Sequence, residues 1–360
     1  MRKIRVLVVD DSRFMVTLIS SILQSTGEVE VVGFALDGQQ AVDLAERLVP
    51  DVITMDVVMP RMDGIEATKL ISTRLGIPIV IFSAHTPQGA SMTVDALRAG
   101  AVDCIAKPGG ERSMSLDAAG AALLERVRDV ARSVRTEGPG AITQTRPLPT
   151  ASQSGSATPS PAVARCPIEL VVLGASTGGI QALGSILPRF PATSTVPILV
   201  VQHFPQGFTA SLAERLASLC SISVAEAQPG QQILPGTILV APGGKNLEVT
   251  PGRRCRVFED DGPEVLRPSV DITVRSVARN VGPRALVAIL SGMGRDGAAG
   301  VAELCAAGGR LIVQDPATAA AWGMPKAALE AGKAEAVLPV DRIAPYILDA
   351  TGGGVGRPGS

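Results

Sequence analysis

The sequence predicts an α/β protein of two domains, each built on a parallel sheet with helices on both faces. Three observations carry that prediction. Short apolar runs of strand length alternate with amphipathic runs of helix length over residues 4–135, and again from residue 166 onward. Polar residues able to do chemistry stand at the carboxyl ends of the strand-like runs, where open parallel sheets place their sites. Between the two stretches every hydrophobic period is lost. There Pro139, Pro147, Pro149, Pro159 and Pro161 are interspersed with Gly, Ser, Thr and Ala, the composition of a flexible tether. The expected organisation is a domain over 1–135, a linker over 136–165, a second domain over 166–350 and a disordered tail over 351–360.

In the first domain, Ile4–Val9, Val29–Phe34, Asp51–Met55, Pro78–Phe82 and Asp103–Ala106 read as five strands. Helical patterns such as Gln39–Leu48 lie between them, and a helix over about residues 115–134 closes the unit. The strand ends hold Asp10 and Asp11 (first), Asp56 (third), Ser83 (fourth) and Lys107 (fifth). One Asp after a strand is ordinarily a turn residue or helix cap. Three carboxylates converging on one sheet edge repel one another unless a cation joins them, and Mg²⁺ is the natural hard, oxygen-seeking ion. Beside them Lys107 supplies a positive charge and Ser83 a donor, both suited to a phosphoryl group.

Val8-Val9-Asp10-Asp11-Ser12, Met55-Asp56-Val57-Val58-Met59-Pro60-Arg61-Met62-Asp63-Gly64 and Ala106-Lys107-Pro108 resemble the response-regulator receiver domain over the whole first segment. The resemblance implies a flavodoxin-like fold and phosphorylation of Asp56 by a partner histidine kinase. It also implies Mg²⁺ held by Asp10, Asp11 and Asp56, with Ser83 and Lys107 sensing the phosphoryl oxygens. One departure matters. Three positions before the Lys the family usually carries an aromatic ring that swings inward on phosphorylation, and here stands Cys104. The signal is therefore expected to travel through the loop and helix after Ser83, residues 84–100.

The second domain opens on an apolar run, Ile168–Leu173, that enters Gly174-Ala175-Ser176-Thr177-Gly178-Gly179 and leaves as a helix-like run from Ile180. A strand turning sharply into a helix around a small hydroxyl presents that hydroxyl beside unpaired backbone N–H groups, which suits a nucleophile and its oxyanion. Two rivals stand beside this reading. Such a turn also cradles pyrophosphate in Rossmann-like units, although the third glycine of that motif is missing. Alternatively Ser176 is simply a helix cap. Further strands are expected at Val196–Val201, Ile238–Val240, Leu286–Leu290 and Leu311–Val313. A nucleophilic serine needs a base. The chain has two histidines; His85 belongs to the first domain, so His203, at the end of the second strand, is the candidate. Asp271, Asp296 and Asp315 are candidates to orient it. Asp296, in a glycine-rich turn straight after an apolar strand, is preferred. Asp271 reads as a first-turn helix residue and Asp315 as a turn residue before Pro316.

The order Ser…His…Asp differs from that of α/β-hydrolases. Gly174–Gly179, Gln202-His203-Phe204, Arg267-Pro268-Ser269-Val270-Asp271, Ser291-Gly292-Met293-Gly294-Arg295-Asp296-Gly297 and Gly323-Met324-Pro325 resemble instead the CheB-type protein-glutamate methylesterase domain, of Rossmann-like α/β fold. With the receiver in front, the resemblance covers essentially the whole chain outside the linker. It implies a triad of Ser176, His203 and Asp296, and an oxyanion site lined near Ser176, Thr177 and Met293. It implies as substrates the glutamate γ-methyl esters, and certain glutamines, of methyl-accepting chemoreceptors, no cofactor for the ester chemistry, and a chemotaxis histidine kinase as phosphodonor. Asn246 stands where relatives often have a His, which bears on local substrate contacts. The nearest alternative is the same esterase acting on another methylated signalling protein.

Bulk properties narrow the function classes. With 33 Lys and Arg against 34 Asp and Glu, and a pI near 6.2, no basic field suits a polyanion. Only 7 Phe, 1 Tyr and 1 Trp are available to stack on bases, and the second domain offers no basic recognition helix. Nucleic acid is not an expected partner. No signal-peptide pattern or membrane-length apolar run is seen, and Cys104, Cys166, Cys220, Cys255 and Cys305 are scattered. The expectation is a cytoplasmic protein with reduced thiols and no direct membrane insertion.

Overall fold

A computed structural model describes residues 2–83, 86–107, 116–137, 166–259 and 266–352. The linker from 138 to 165, the tail from 353 and His85 lie outside the described residues.

The first domain alternates as expected: β1 (Ile4–Val9), α1 (Arg13–Gln24), β2 (Val29–Ala35), α2 (Gly38–Leu48), β3 (Val52–Met55), α3 (Gly64–Leu75), β4 (Ile79–Ser83), α4 (Pro87–Arg98), β5 (Asp103–Ala106) and α5 (Leu116–Glu137). Its parallel sheet runs β2-β1-β3-β4-β5. β3 and β4 are buried along their whole length, as strands covered on both faces must be. Caps set the helix starts: Ser12 on α1, Asp37 on α2 and Asp63 on α3 each accept an N–H of the first turn. α5 continues to Glu137, two residues beyond the expected boundary, because Arg135-Thr136-Glu137 carries no breaker before Gly138.

The second domain comprises β6 (Leu170–Ala175), α6 (Gly179–Ile186), β7 (Ile198–Gln202), α7 (Thr209–Ala217), β8 (Ser223–Glu226), β9 (Thr237–Val240), β10 (Asn246–Val249), β11 (Cys255–Phe258), α8 (Val270–Asn280), β12 (Ala285–Ile289), α9 (Ala298–Ala306), β13 (Arg310–Gln314), α10 (Gly323–Ala331), β14 (Ala336–Leu338) and α11 (Val340–Ala350). Seven strands form a parallel sheet in the order β14-β13-β12-β6-β7-β9-β8. β10 and β11 pair antiparallel as a separate hairpin. Chain order reverses around β6, since β7 flanks it on one side and β12 on the other; a crevice opens at the carboxyl ends of such strands. Four strands go beyond the sequence-based expectation. β8 and β14 are sheet edges, three or four residues long and half exposed, and the hairpin strands interleave charge with apolar residues. β8, β10 and β11 lack the continuous apolar run that identified the buried strands, and β14 offers only Ala336-Val337-Leu338 between Glu335 and Pro339.

The two domains meet along one face. α4 packs on α6 and α7, and Arg215 of α7 pairs with Asp95 of α4 at 3.1 Å. One apolar cluster is continuous across the junction, taking in Val94 and Leu97 of the first domain and Ile180, Phe204 and Phe208 of the second. No helix among the described residues is long and apolar enough to cross a membrane.

Candidate active site and phosphoacceptor cluster

Neighbouring strands β12, β6 and β7 deliver Asp296, Ser176 and His203 to the crevice. Register aligns Gly174 with Ile289 and Ala175 with Gln202, so the three loops leave the sheet at one level. The β6–α6 turn depends on its glycines. Gly178 has φ +75°, and a Cβ there would lie 2.5 Å from that of Ala320. A Cβ on Gly179 would fall 2.2 Å from Oε1 of Gln202. No side chain fits either place.

His203 Nε2 lies 2.7 Å from Oδ2 of Asp296, and Nδ1, buried, has no hydrogen-bond partner. With Nε2 committed to the carboxylate, Nδ1 is the nitrogen free to act as base. Ser176 is 5% exposed and His203 8%; both line one small cleft with Gln202, Phe204 and Ile180. Asp296 caps the amino terminus of α8. Its oxygens accept from Ser269 Oγ (3.0 Å), Val270 N (2.6 Å), Asp271 N (2.9 Å) and Gly297 N (3.0 Å). Burial works to raise the Asp296 carboxyl. The His203 hydrogen bond and charge and the α8 amides outweigh it and hold the group below its usual 3.8. Asp271 does lie in the first turn of α8, where it accepts from Gly300 N at 2.6 Å. Asp315 is a turn residue, accepting from Thr318 N and Oγ1.

Two buried side chains aim the backbone donors. Gln202 Nε2 donates to the carbonyls of Ser176 (2.9 Å) and His203 (3.0 Å). Across the planar Ser176–Thr177 peptide, that bond turns the Thr177 N–H the opposite way, and it meets no acceptor among the described residues. Ser291 Oγ donates to the Thr177 carbonyl at 2.7 Å, which turns the Gly178 N–H outward by the same geometry. The Ser176 N–H, by contrast, is spent on the Ser291 carbonyl at 2.9 Å, so of the two expected backbone donors Thr177 is the one available for an oxyanion. Met293 follows Gly292, where a Cβ would approach the Ser176 Cβ to 3.0 Å, and its side chain packs on the first domain's core cluster.

Sequence reasoning missed Gln202, Ser269 and Ser291 as parts of the site. For Gln202 a signal existed: a polar residue ending the wholly apolar run Ile198–Val201 is buried with its strand and needs partners. Asn246 differs from its expected place among substrate contacts. It is fully buried on β10, and its Oδ1 accepts from Ser269 N at 3.0 Å, one residue behind Asp296.

In the first domain, Asp10, Asp11 and Asp56 each offer an oxygen, all within 4.8 Å of one another. An all-carboxylate set fits a hard divalent ion such as Mg²⁺, whose charge would offset the repulsion among them. Lys107 Nζ sits 2.7 Å from Asp10 and 2.8 Å from Asp56. Burial raises the Asp56 carboxyl above its usual 3.8, against the pull of Lys107. Lys107 is itself held above its ordinary value: burial opposes its charge, and Asp56 and Asp10 more than compensate. Ser83, 2% exposed, directs Oγ at the Gly89 carbonyl in the first turn of α4, at 3.4 Å. Cys104 is buried, and burial pushes its thiol well up, out of nucleophile range.

Comparison with known proteins finds families that match both halves of the chain. The CheB methylesterase family matches residues 171–347 and the response regulator receiver domain family residues 6–117. A protein-glutamate methylesterase/protein-glutamine glutaminase of Symbiobacterium thermophilum is 42% identical over 358 residues, covering 98% of each chain. The chain belongs to the CheB methylesterase family. A member of this family from Thermotoga maritima, of the same designation, is 39% identical over 352 residues, with 97% of this chain and 98% of the relative covered. The crystal structure of the Thermotoga maritima CheB methylesterase catalytic domain is 37% identical, with a TM-score of 0.49, over 51% of this chain and 99% of that one.

Proposed function

We propose that this chain is a phosphorylation-activated serine esterase. It hydrolyses glutamate γ-methyl esters, and deamidates certain glutamines, on methyl-accepting chemoreceptors, and so serves sensory adaptation in the cytoplasm. The observation that carries the reading is the pairing of His203 with Asp296 in the cleft that holds Ser176, with the receiver laid over the same cleft.

In this mechanism Ser176 Oγ attacks the ester carbonyl while His203 Nδ1 takes its proton. The Thr177 N–H and the positive end of α6 face the developing oxyanion. The imidazolium returns the proton to the departing alkoxide, and methanol leaves. Water, activated by the same Nδ1, then splits the acyl-enzyme to release the glutamate carboxylate and regenerate Ser176. An amide shares the tetrahedral intermediate and releases ammonia instead.

Regulation follows from where the receiver sits. Leu97, Val102 and Asp103 line the cleft together with Ser176 and His203, so a protein substrate cannot enter while the domains are docked. Asp10, Asp11 and Asp56 would hold Mg²⁺, which supplies charge neutralisation for transfer of a phosphoryl group from a chemotaxis histidine kinase. A phosphoryl group on Asp56 competes for Lys107 and draws the Ser83 hydroxyl from Gly89. That frees the first turn of α4, the helix whose far end carries the contacts to α6 and α7. Cys104 provides no ring to move, which leaves α4 as the route. Phosphorylation is expected to shift backbone amide resonances within residues 84–100; unchanged shifts there would exclude this route.

The deciding assay is methanol release from methylated receptor by the full chain, with and without a small phosphodonor and Mg²⁺. The phosphodonor is expected to raise the rate. In Asp56→Asn the ratio of the two rates is expected to fall to about 1, because the docked population no longer responds. A phosphodonor effect that persists in Asp56→Asn would remove Asp56 from the scheme. Release from another methylated protein but not from receptor would redirect the substrate assignment.

A further inference from the structure

We propose that the donors gripping the receiver at the rim of the Ser176 cleft form a substrate subsite. It would take an acidic or amidic side chain beside the scissile ester, and the receiver fills it by imitation. The inference rests on the esterase reading above and names what that site recognises.

Three donors line the turn after the nucleophile, and the second domain uses none of them for itself. Thr177 Oγ1 donates to the Asp103 carboxylate. The Gly178 N–H donates to the Val102 carbonyl at 2.8 Å. Gln181 Nε2 donates to the Leu97 carbonyl at 2.8 Å and to that of Ala101. Everything received is an oxygen acceptor, a carboxylate and three carbonyls from residues 97–103, set at the positive end of α6. Local structure of the second domain holds the Gly178 donor in place. Ser291 fixes the peptide that aims the Gly178 N–H, and φ +75° at Gly178 sets the turn.

The chemistry of these acceptors matches the reaction. An ester or amide carbonyl is what Ser176 attacks, and a carboxylate is what hydrolysis leaves. Asp103 is such a carboxylate, supplied by the receiver and bonded to Thr177, the residue that follows the nucleophile. Arg126 of α5 balances it there, 3.4 Å from Asp103 and 3.4 Å from Thr177 Oγ1, and departs with the receiver. In the open enzyme a substrate carboxylate or carboxamide would meet Thr177, Gly178 and Gln181 with no competing cation. Receiver and substrate then compete for the same hydrogen atoms as well as for the same space.

This sharing predicts a double effect that a purely inhibitory surface would not show. In full-length chain, Gln181→Ala is expected to raise methanol release without phosphodonor, since it loosens docking. With phosphodonor and Mg²⁺ it should raise KM for a methylated receptor fragment about 3- to 10-fold, the loss of one or two hydrogen bonds. Asp103→Ala should also raise the unstimulated rate, with KM in the stimulated state as in wild type. Thr177→Val is the second catalytic-side variant should Gln181→Ala fail to fold. A receptor fragment whose acidic and amidic neighbours of the esterified residue are replaced by alanine should show a raised KM with wild type and a smaller effect of Gln181→Ala. Unchanged KM in a catalytic-side variant that is released from inhibition would overturn the subsite and leave the esterase standing. No methanol release by stimulated wild type would instead overturn the esterase reading, and the subsite with it.

Discussion

Ser176→Ala is expected to abolish methanol release to within a small residue, with kcat lowered about 10⁴-fold or more, while the chain still folds and still takes a phosphoryl group on Asp56. The magnitude follows from what is lost. Ser176 carries the one hydroxyl among the residues that line the cleft with His203, so its removal leaves a base and an oxyanion donor with no atom to activate. What persists is the binding and electrostatic contribution of the cleft to direct attack by water. The β6–α6 turn is held by Gly178, Gly179, Gln202 and Ser291, none of which contacts the Ser176 hydroxyl in the bonds they make, so the change in stability should be small. Methanol release and labelling by a fluorophosphonate reagent both read the nucleophile, and both should vanish together. A variant that keeps normal turnover would reduce the turn to a structural cap and leave a scaffold.

The parts of this molecule legible in the sequence are those that local pattern controls. Strands buried on both faces announce themselves as apolar runs, and the residues that end them (Asp10, Asp56, Lys107, Ser176, His203, Asp296) fall at one edge of each sheet because a parallel sheet puts them there. Strand β8 was not legible because a half-exposed edge needs no continuous apolar run. The atoms that aim the catalytic groups were not legible either. That Gln202 bridges two carbonyls and Ser269 supports Asp296 depends on strand register and on where α8 begins. Nor does a motif say which imidazole nitrogen faces the carboxylate. The interdomain latch is the extreme case. Asp103 and Gln181 are ordinary polar residues in their own elements, and acquire meaning only when two surfaces far apart in sequence close on each other.

Asp296→Asn should lower kcat nearly as far, about 10⁴-fold, by a different route. The carboxylate accepts a hydrogen bond from the Nε2–H of His203, which keeps the proton on Nε2 and leaves Nδ1 deprotonated and available. An asparagine amide can donate to Nε2 and so favour the tautomer with the proton on Nδ1, the wrong nitrogen for a base; it also removes the charge that stabilises the imidazolium. The same variant has a thermodynamic signature. In the folded protein the Asp296 carboxyl is held below its usual 3.8, so its contribution to stability is fully present above the unfolded value and is lost as pH falls through the folded one. Wild type should therefore lose stability in the acid range below about pH 4, and Asp296→Asn should lose less over that window while being less stable at neutral pH, where four donors (Ser269 Oγ and the Val270, Asp271 and Gly297 amides) meet a neutral amide in place of a charge. Denaturant titrations of both proteins across pH 3–7 separate the two effects. Parallel stability curves would mean that the α8 terminus does not hold a charged Asp296, and would take from the site the element that sets its base.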